Sequence, residues 1–490
     1  MPNPELAVRP HRYLVHLRRL ARRKLCQMRR VSHRTLSVSL LLGGAALVAL
    51  VSLGFTQLAD LALHWNRQWT AAHGWLALIV TPCALAVLCW LTLRLAPYAS
   101  GSGIPQVIAG LSLPPGGAQQ RLVSLVQALW KIPLTFLAML AGASVGREGP
   151  SVQVGAALML AWGQLWRRLG VPLRGFHSQE LIAAGAAGGL AAAFNAPLAG
   201  VIFAIEELGR GTVLRWQRLV LIGVLAAGFL VVAIAGNNPY LGTFAGQALA
   251  HNMLWWTLVC CVVNGILGGV FARLLGKGAA GAAPQRWRER VRRHPVATAF
   301  GLGLALACLG LLTGGAVYGT GYDQAAALLS GHDGVPDGFG LAKLAATVAS
   351  YWAGIPGGIF TPALTTGAGI GEQISHWAGP GVDTRVLVLV SMAAFLAAAT
   401  QAPLTASVVV MEMTGAASPC CSGCWSARWG PRSCRASSAR GRSITWRLAG
   451  FVARPWWKQG ARRPRNRRTT FGVRLLDICA GVRPAYDALR

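Results

Sequence analysis

The stretch VGREGPSVQVG at residues 145–155 sets Arg147 and Glu148 between glycines and a proline, in otherwise strongly apolar surroundings. Charge in such a place is costly unless it is paired or put to use. Two readings are open. Arg147 and Glu148 could form a local structural pair. Alternatively, Glu148 opens the apolar helix VQVGAALMLAWGQLW, where a carboxylate competes with any other anion for the free N–H groups of the first turn. Two further segments share this grammar. GSGIPQV at Gly101–Val107 offers the Ser102 hydroxyl beside two glycines, and GGIFTP at 357–362 opens a helix at Ile359 and Phe360. Glycine lets a ligand approach the backbone, and proline pre-sets a helix's first turn. Several such helix starts, converging, can hold an anion without a fully buried cation. Taken singly, each reads equally well as a cap or a packing turn.

Other charges lie in apolar runs. Lys131 sits inside LVQALWKIPLTFL, and an intramembrane lysine is a functional candidate by default. Glu206 and Glu207 follow an apolar run; Glu206 reads as a helix end meeting water. Glu372 and Glu412 read as structural.

The elements that must position these residues are membrane helices. Of 490 residues, 54% are hydrophobic and only 12% charged, with a mean hydropathy of +0.47. That is not a soluble composition. Apolar stretches near spanning length are predicted at 37–55, 74–96, 122–145, 216–236, 253–276, 296–313 and 385–398. The chain divides into a first membrane half, 36–236, and a second, 237–415, each with Gly/Pro-rich interruptions opening apolar helices. Corresponding interruptions in two halves point to an all-α inverted repeat whose broken helices meet at a midplane site. Irregular backbone at that depth survives only where it lines a cavity or is buried in protein.

The formal net charge of +31 does not point to nucleic acid. The positive residues sit in the arm 1–35, in short loops at 165–174 and 272–293, and in the tail. They read as topology and headgroup charges, with the arm cytoplasmic. No secretory signal peptide is evident, since the first 34 residues hold ten Lys or Arg and no early apolar core. Cys26, Cys83, Cys89, Cys260, Cys261 and Cys308 read as small core residues. No nucleotide loop, paired metal ligands or nucleophile–base arrangement is seen, so neither an enzyme nor a cofactor is expected.

Taken together and in order, GSGIP, GREGP and GGIFTP, with FNAPLAGVIFAIEEL at 194–208 and VVVMEMTG at 408–415, resemble the CLC family of chloride channels and chloride/proton antiporters, most closely its bacterial, ClcB-like branch. The resemblance runs from about residue 35 to 415. It implies that Ser102 gives its hydroxyl, and Ile359 and Phe360 their N–H groups, to a central chloride. The backbone from Arg147 to Gly149 would form an outer anion site. Glu148 would be the gate, blocking the path when charged and carrying a proton when neutral. A serine in GSGIP favours chloride over nitrate. Glu207 matches the family's internal proton-transfer glutamate and leans the expectation toward antiport rather than a passive voltage-gated channel. Lys131 would add positive potential without touching the anion. The resemblance further implies a homodimer in a bacterial inner membrane, with chloride, protons and lipid as partners.

After residue 415 the text changes character. Residues 416–490 hold five cysteines, sixteen Lys or Arg and two acids, Asp477 and Asp487. The family expects a further long apolar helix and a short one carrying a tyrosine. A shifted reading frame would explain the change, because CTG leucine codons displaced by one base read as TGC cysteine; a divergent basic tail is the alternative. Tyr486 falls too late for the family's tyrosine. A truncated, inactive relic is the corresponding functional alternative.

Overall fold

The computed structural model describes residues 9–170, 177–209, 218–237, 239–242, 251–331, 334–379 and 382–415. The tail and Tyr486 lie outside the described residues. The described chain folds into α1 (Arg9–Ala72), α2 (Ala77–Leu95), α3 (Ile104–Ser112), α4 (Gly117–Leu122), α5 (Leu125–Leu140), α6 (Glu148–Arg168), α7 (Ser178–Phe194), α8 (Pro197–Phe203), α9 (Arg218–Ala235), α10 (His251–Ala282, kinked at Gly278), α11 (Gln285–Arg293), α12 (Pro295–Leu312), α13 (Tyr322–Ser330), α14 (Phe339–Trp352), α15 (Phe360–Ala378), α16 (Thr384–Thr400) and α17 (Pro403–Thr414). A wider π-type turn at Ala204–Leu208 continues α8.

Segments long and apolar enough to cross a membrane are Thr35–Ala72, Gly74–Leu95, Gly117–Leu140, Met253–Ala282 and Pro295–Leu312. The first span outruns its expected end at residue 55. Neither Gly nor Pro interrupts the chain between Phe55 and His73, and Phe55, Ala59 and Ala62 bury a continuing face. The third span ends at Leu140 rather than near 145, because the backbone turns away at Gly142 with φ of 84°. On α10, the exposed Leu254, Leu258, Val262, Ile266 and Val270 form one stripe, the pattern of a helix face turned to lipid. Of the cysteines expected in the core, Cys89, Cys260 and Cys261 are buried, but Cys83 and Cys308 are exposed. Both lie on outward faces of spanning helices, where lipid accepts a thiol as readily as a core does.

The centre is made of helices apolar all round. α7, α15 and α16 are buried along most of their length. Small residues let them approach closely: a Cβ added at Gly155 of α6 would strike the carbonyl of Gly185 on α7, and one added at Gly185 would strike that of Gly155.

One motif recurs in the two parts of the chain. NAPL at 195–198 and QAPL at 401–404 each start a helix after a left-handed residue, Asn195 at φ 53° and Gln401 at φ 62°. The Glu206 carboxylate accepts from the Leu404 and Thr405 N–H groups at 3.3 and 2.7 Å. The Glu412 carboxylate accepts from those of Leu198 and Ala199 at 3.0 and 2.6 Å. Each glutamate, near the end of its own helix, thus closes the start of the other's, which requires α8 and α17 to run antiparallel. Glu206 was expected merely to meet water; it caps α17 because the symmetry of the repeat brings that start within reach.

Candidate functional site

The Gly/Pro-rich loops of the two halves are stitched together by short backbone bridges. Gly101 pairs with Pro356, and Gly146 with Gly358. The Gly101 N–H donates to the Ile355 carbonyl at 3.0 Å, and the Gly357 N–H returns to Gly101 at 3.2 Å. Gly146 and Gly358 exchange both bonds, at 2.8 and 2.6 Å. These bonds take up part of the polar backbone that a break in a membrane helix leaves over. They also aim the starts of α3, α6 and α15 at one place.

At that place Ser102, Glu148, Gly149 and Phe360 are all buried, with Ile359 at 7% exposure. A Cβ at Gly149 would strike Ser102 Oγ and would lie 2.8 Å from the Ser102 carbonyl and 3.2 Å from Gly358 Cα. The Ser102 hydroxyl therefore sits against the first turn of α6 and the turn leading to Ile359. Among the described residues its Oγ has no hydrogen-bond partner. A buried hydroxyl beside first-turn N–H groups is a donor set suited to an anion. The Phe360 ring lies 6.4 Å from Phe194 and 6.3 Å from Phe203. These rings lead from the loops to α8, and one turn beyond Phe203 lies the buried Glu207. Glu207 is thus on a separate element, one turn past Phe203.

Lys131 is fully buried on α5. Its ammonium donates to the carbonyls of Ala99 and Gly101 at 2.8 and 2.9 Å and to Gln153 Oε1 at 2.8 Å. Gln153 in turn donates to the Tyr98 and Leu122 carbonyls. The lysine therefore braces the very loop that presents Ser102. Lys343 does the same in the second half, donating to the Val317 and Gly319 carbonyls at 2.9 and 2.8 Å.

Arg147 does not form the local pair with Glu148 that the sequence left open. Its buried guanidinium pairs with Asp60 on α1 and donates to the Thr56 carbonyl at 3.1 Å. It lies over the rings of Tyr240 and Tyr322, 5.4 and 5.6 Å from their centroids. Glu148 instead accepts from the Tyr322 phenol, 3.1 Å from Oε1. Adjacent residues on a helix point to different sides, so the backbone joins them while their side chains answer to different partners.

Sequence reasoning missed Asp60, Gln153, Tyr240, Tyr322 and Lys343. Tyr322 carried a usable signal: GTGYD at 319–323 repeats the G-x-G of GSGIP, and Gly103 and Gly321 precede their helices at φ of 95° and 85°.

The family described as "Voltage gated chloride channel" matches residues 83–429. The chain is 31% identical over 362 residues to the H(+)/Cl(−) exchange transporter ClcA of Vibrio parahaemolyticus, covering 69% of this chain and 72% of the relative. It is 30% identical over 381 residues to the protein of the same name from Klebsiella pneumoniae, covering 73% and 74%. Among solved structures, a slow cyanobacterial Cl−/H+ antiporter superposes with a TM-score of 0.70 at 24% identity, covering 87% of this chain and 99% of that one. A CLC-type fluoride/proton antiporter gives 0.62 at 22% identity, covering 86% and 96%. At these identities the structures speak for the fold, all-α and membrane-spanning, while the family profile and the sequence relatives speak for descent. This chain belongs to the voltage gated chloride channel family, the CLC proteins.

Proposed function

We propose that this chain exchanges chloride for protons across the membrane, with Glu148 shared by both ions. The observation that carries the reading is the placement of the Glu148 carboxylate at the start of α6, on backbone that also meets Ser102 Oγ and the turn before Ile359. Chloride is held by the Ser102 hydroxyl and the N–H groups of Ile359 and Phe360, and an outer position lies along Arg147 to Gly149. The charged Glu148 carboxylate competes for that outer position; protonated, it leaves and takes a proton with it. Glu207 loads protons from the cytoplasmic side, across the rings of Phe203, Phe194 and Phe360. Lys131 fixes the Ser102 loop and adds positive potential behind it. The relatives' printed activity, H(+)/Cl(−) exchange, supports this assignment.

The same reading sets the protein in a bacterial inner membrane, as a homodimer, with its arm 1–35 in the cytoplasm and halves at 36–236 and 237–415. Its partners are chloride, protons and lipid, and it needs no cofactor. The test is paired ion flux from the purified full chain in liposomes. An outward chloride gradient drives protons inward against no other force. Chloride movement with no accompanying proton flux would instead identify a passive channel.

A further inference from the structure

The surroundings of the Glu148 carboxylate are built in a way that gating by a lone carboxylate does not need. The Tyr322 phenol, at the first position of α13, lies 3.1 Å from Glu148 Oε1. The Thr361 hydroxyl, in the first turn of α15, donates to the same phenol oxygen at 3.3 Å. A hydrogen-bond chain therefore runs from Thr361 through Tyr322 to Glu148, in which each donor strengthens the next. The ring that carries the phenol is held firmly. It stacks on Tyr240, with centroids 5.6 Å apart and planes 19° from parallel. The Arg147 guanidinium covers both rings and is paired with Asp60, which is 55% exposed. The next residue, Asp323, is paired with Arg67 on α1. Both pairs fasten the C-terminal part of α1 beside Glu148, through Asp60 and Arg67.

We propose that Tyr322 is a positioning residue, a latch that holds Glu148 in its charged, path-blocking state and thereby sets the pH range in which transport runs. This rests on Glu148 being the gate. The physical reason is one-sided. A phenol donates a strong hydrogen bond to a carboxylate and a weaker one to a neutral carboxyl group. It therefore favours the charged gate, and removing it makes protonation easier. Among the described residues, the other charged or titratable groups around the gate are Arg147 on α6, Asp60 and Arg67 on α1, Tyr240, Asp323 on α13, and Lys343 on α14, which packs against Gly321 just before Tyr322. All of them remain in a Tyr322→Phe protein, which also keeps the stacked ring.

The experiment measures chloride and proton flux from the full chain in liposomes across a range of pH, for the parent, Tyr322→Phe, Glu148→Ala and the double variant. Loss of one charge-assisted hydrogen bond is worth about tenfold in the latched population. Tyr322→Phe is therefore expected to shift the pH of half-maximal chloride transport upward by about one unit and to raise flux severalfold near neutrality. In the Glu148→Ala background the same change should leave flux within about twofold. A Tyr322→Phe profile that superimposes on the parent overturns the proposal. So does an equal effect of Tyr322→Phe with and without Glu148. Should Tyr322→Phe not fold, Thr361→Val decides: a smaller upward shift supports the latch, and an unchanged profile overturns it. If Glu148→Ala itself retains proton coupling, the gate assignment fails instead, and the two failures are told apart.

Discussion

Glu206 and Glu412 cap each other's helices: each carboxylate, near the end of one helix, accepts the first free N–H groups of the other. The exchange ties α8 of the first half to α17 of the second. It also makes Glu206 a different kind of residue from its neighbour Glu207, which is buried and proposed to carry protons.

Substituting these neighbours should separate stability from coupling. Glu206→Ala removes a cap worth about 1 kcal/mol and lowers the thermal midpoint in detergent, while chloride and proton fluxes keep their ratio. Glu207→Ala should abolish proton movement with chloride flux retained, whatever its effect on the midpoint. Thermal unfolding and paired flux on both variants check this. Loss of coupling in Glu206→Ala alone would reverse the assignment.

Gly149→Ala should disable the anion site. The added Cβ meets Ser102 Oγ and two stretches of backbone, and backbone cannot rotate out of the way as a side chain can. Overpacking of this kind costs about 1–3 kcal/mol. It also displaces the hydroxyl from the helix start. Isothermal titration with chloride should show affinity reduced at least about tenfold.

Lys131→Met and Lys343→Met should both destabilise. Each keeps the bulk of the side chain but orphans carbonyls that the ammonium satisfies, at about 1–3 kcal/mol for each buried group left without a partner. Only Lys131 braces the loop bearing Ser102, so only its loss should weaken chloride binding strongly. Chloride titration of the two variants side by side distinguishes bracing of the site from bracing of the fold.

The sequence made the helix starts legible, because Gly and Pro at a break in an apolar run have few other uses. Ser102, Glu148, Gly149, Ile359 and Phe360 could be named as one cluster from those breaks and the family resemblance alone. What lay beyond reach was the choice of side-chain partners across elements. Arg147 stood next to Glu148 in the chain, yet Asp60, far upstream and beyond the expected end of the first span at residue 55, took its charge. Helix geometry turns neighbours apart, and only the tertiary fold says what each then meets. Tyr322 was hidden for a different reason: GTGYD lacks the proline that made GSGIP conspicuous, although both loops do the same structural work. The Cys83 and Cys308 expectations failed because a thiol is equally at home in a core and against lipid, so burial cannot be read from residue type in a membrane helix. Glu412, read as structural, is so in a specific way that the repeated APL motif at 196–198 and 402–404 could have disclosed.

The most direct test of the central claim is paired chloride and proton flux from Glu148→Ala protein in liposomes. Chloride flow should persist while gradient-driven proton movement disappears, because the group shared by the two ions is gone. Proton movement equal to that of the parent would contradict the assignment of Glu148 as the coupling gate.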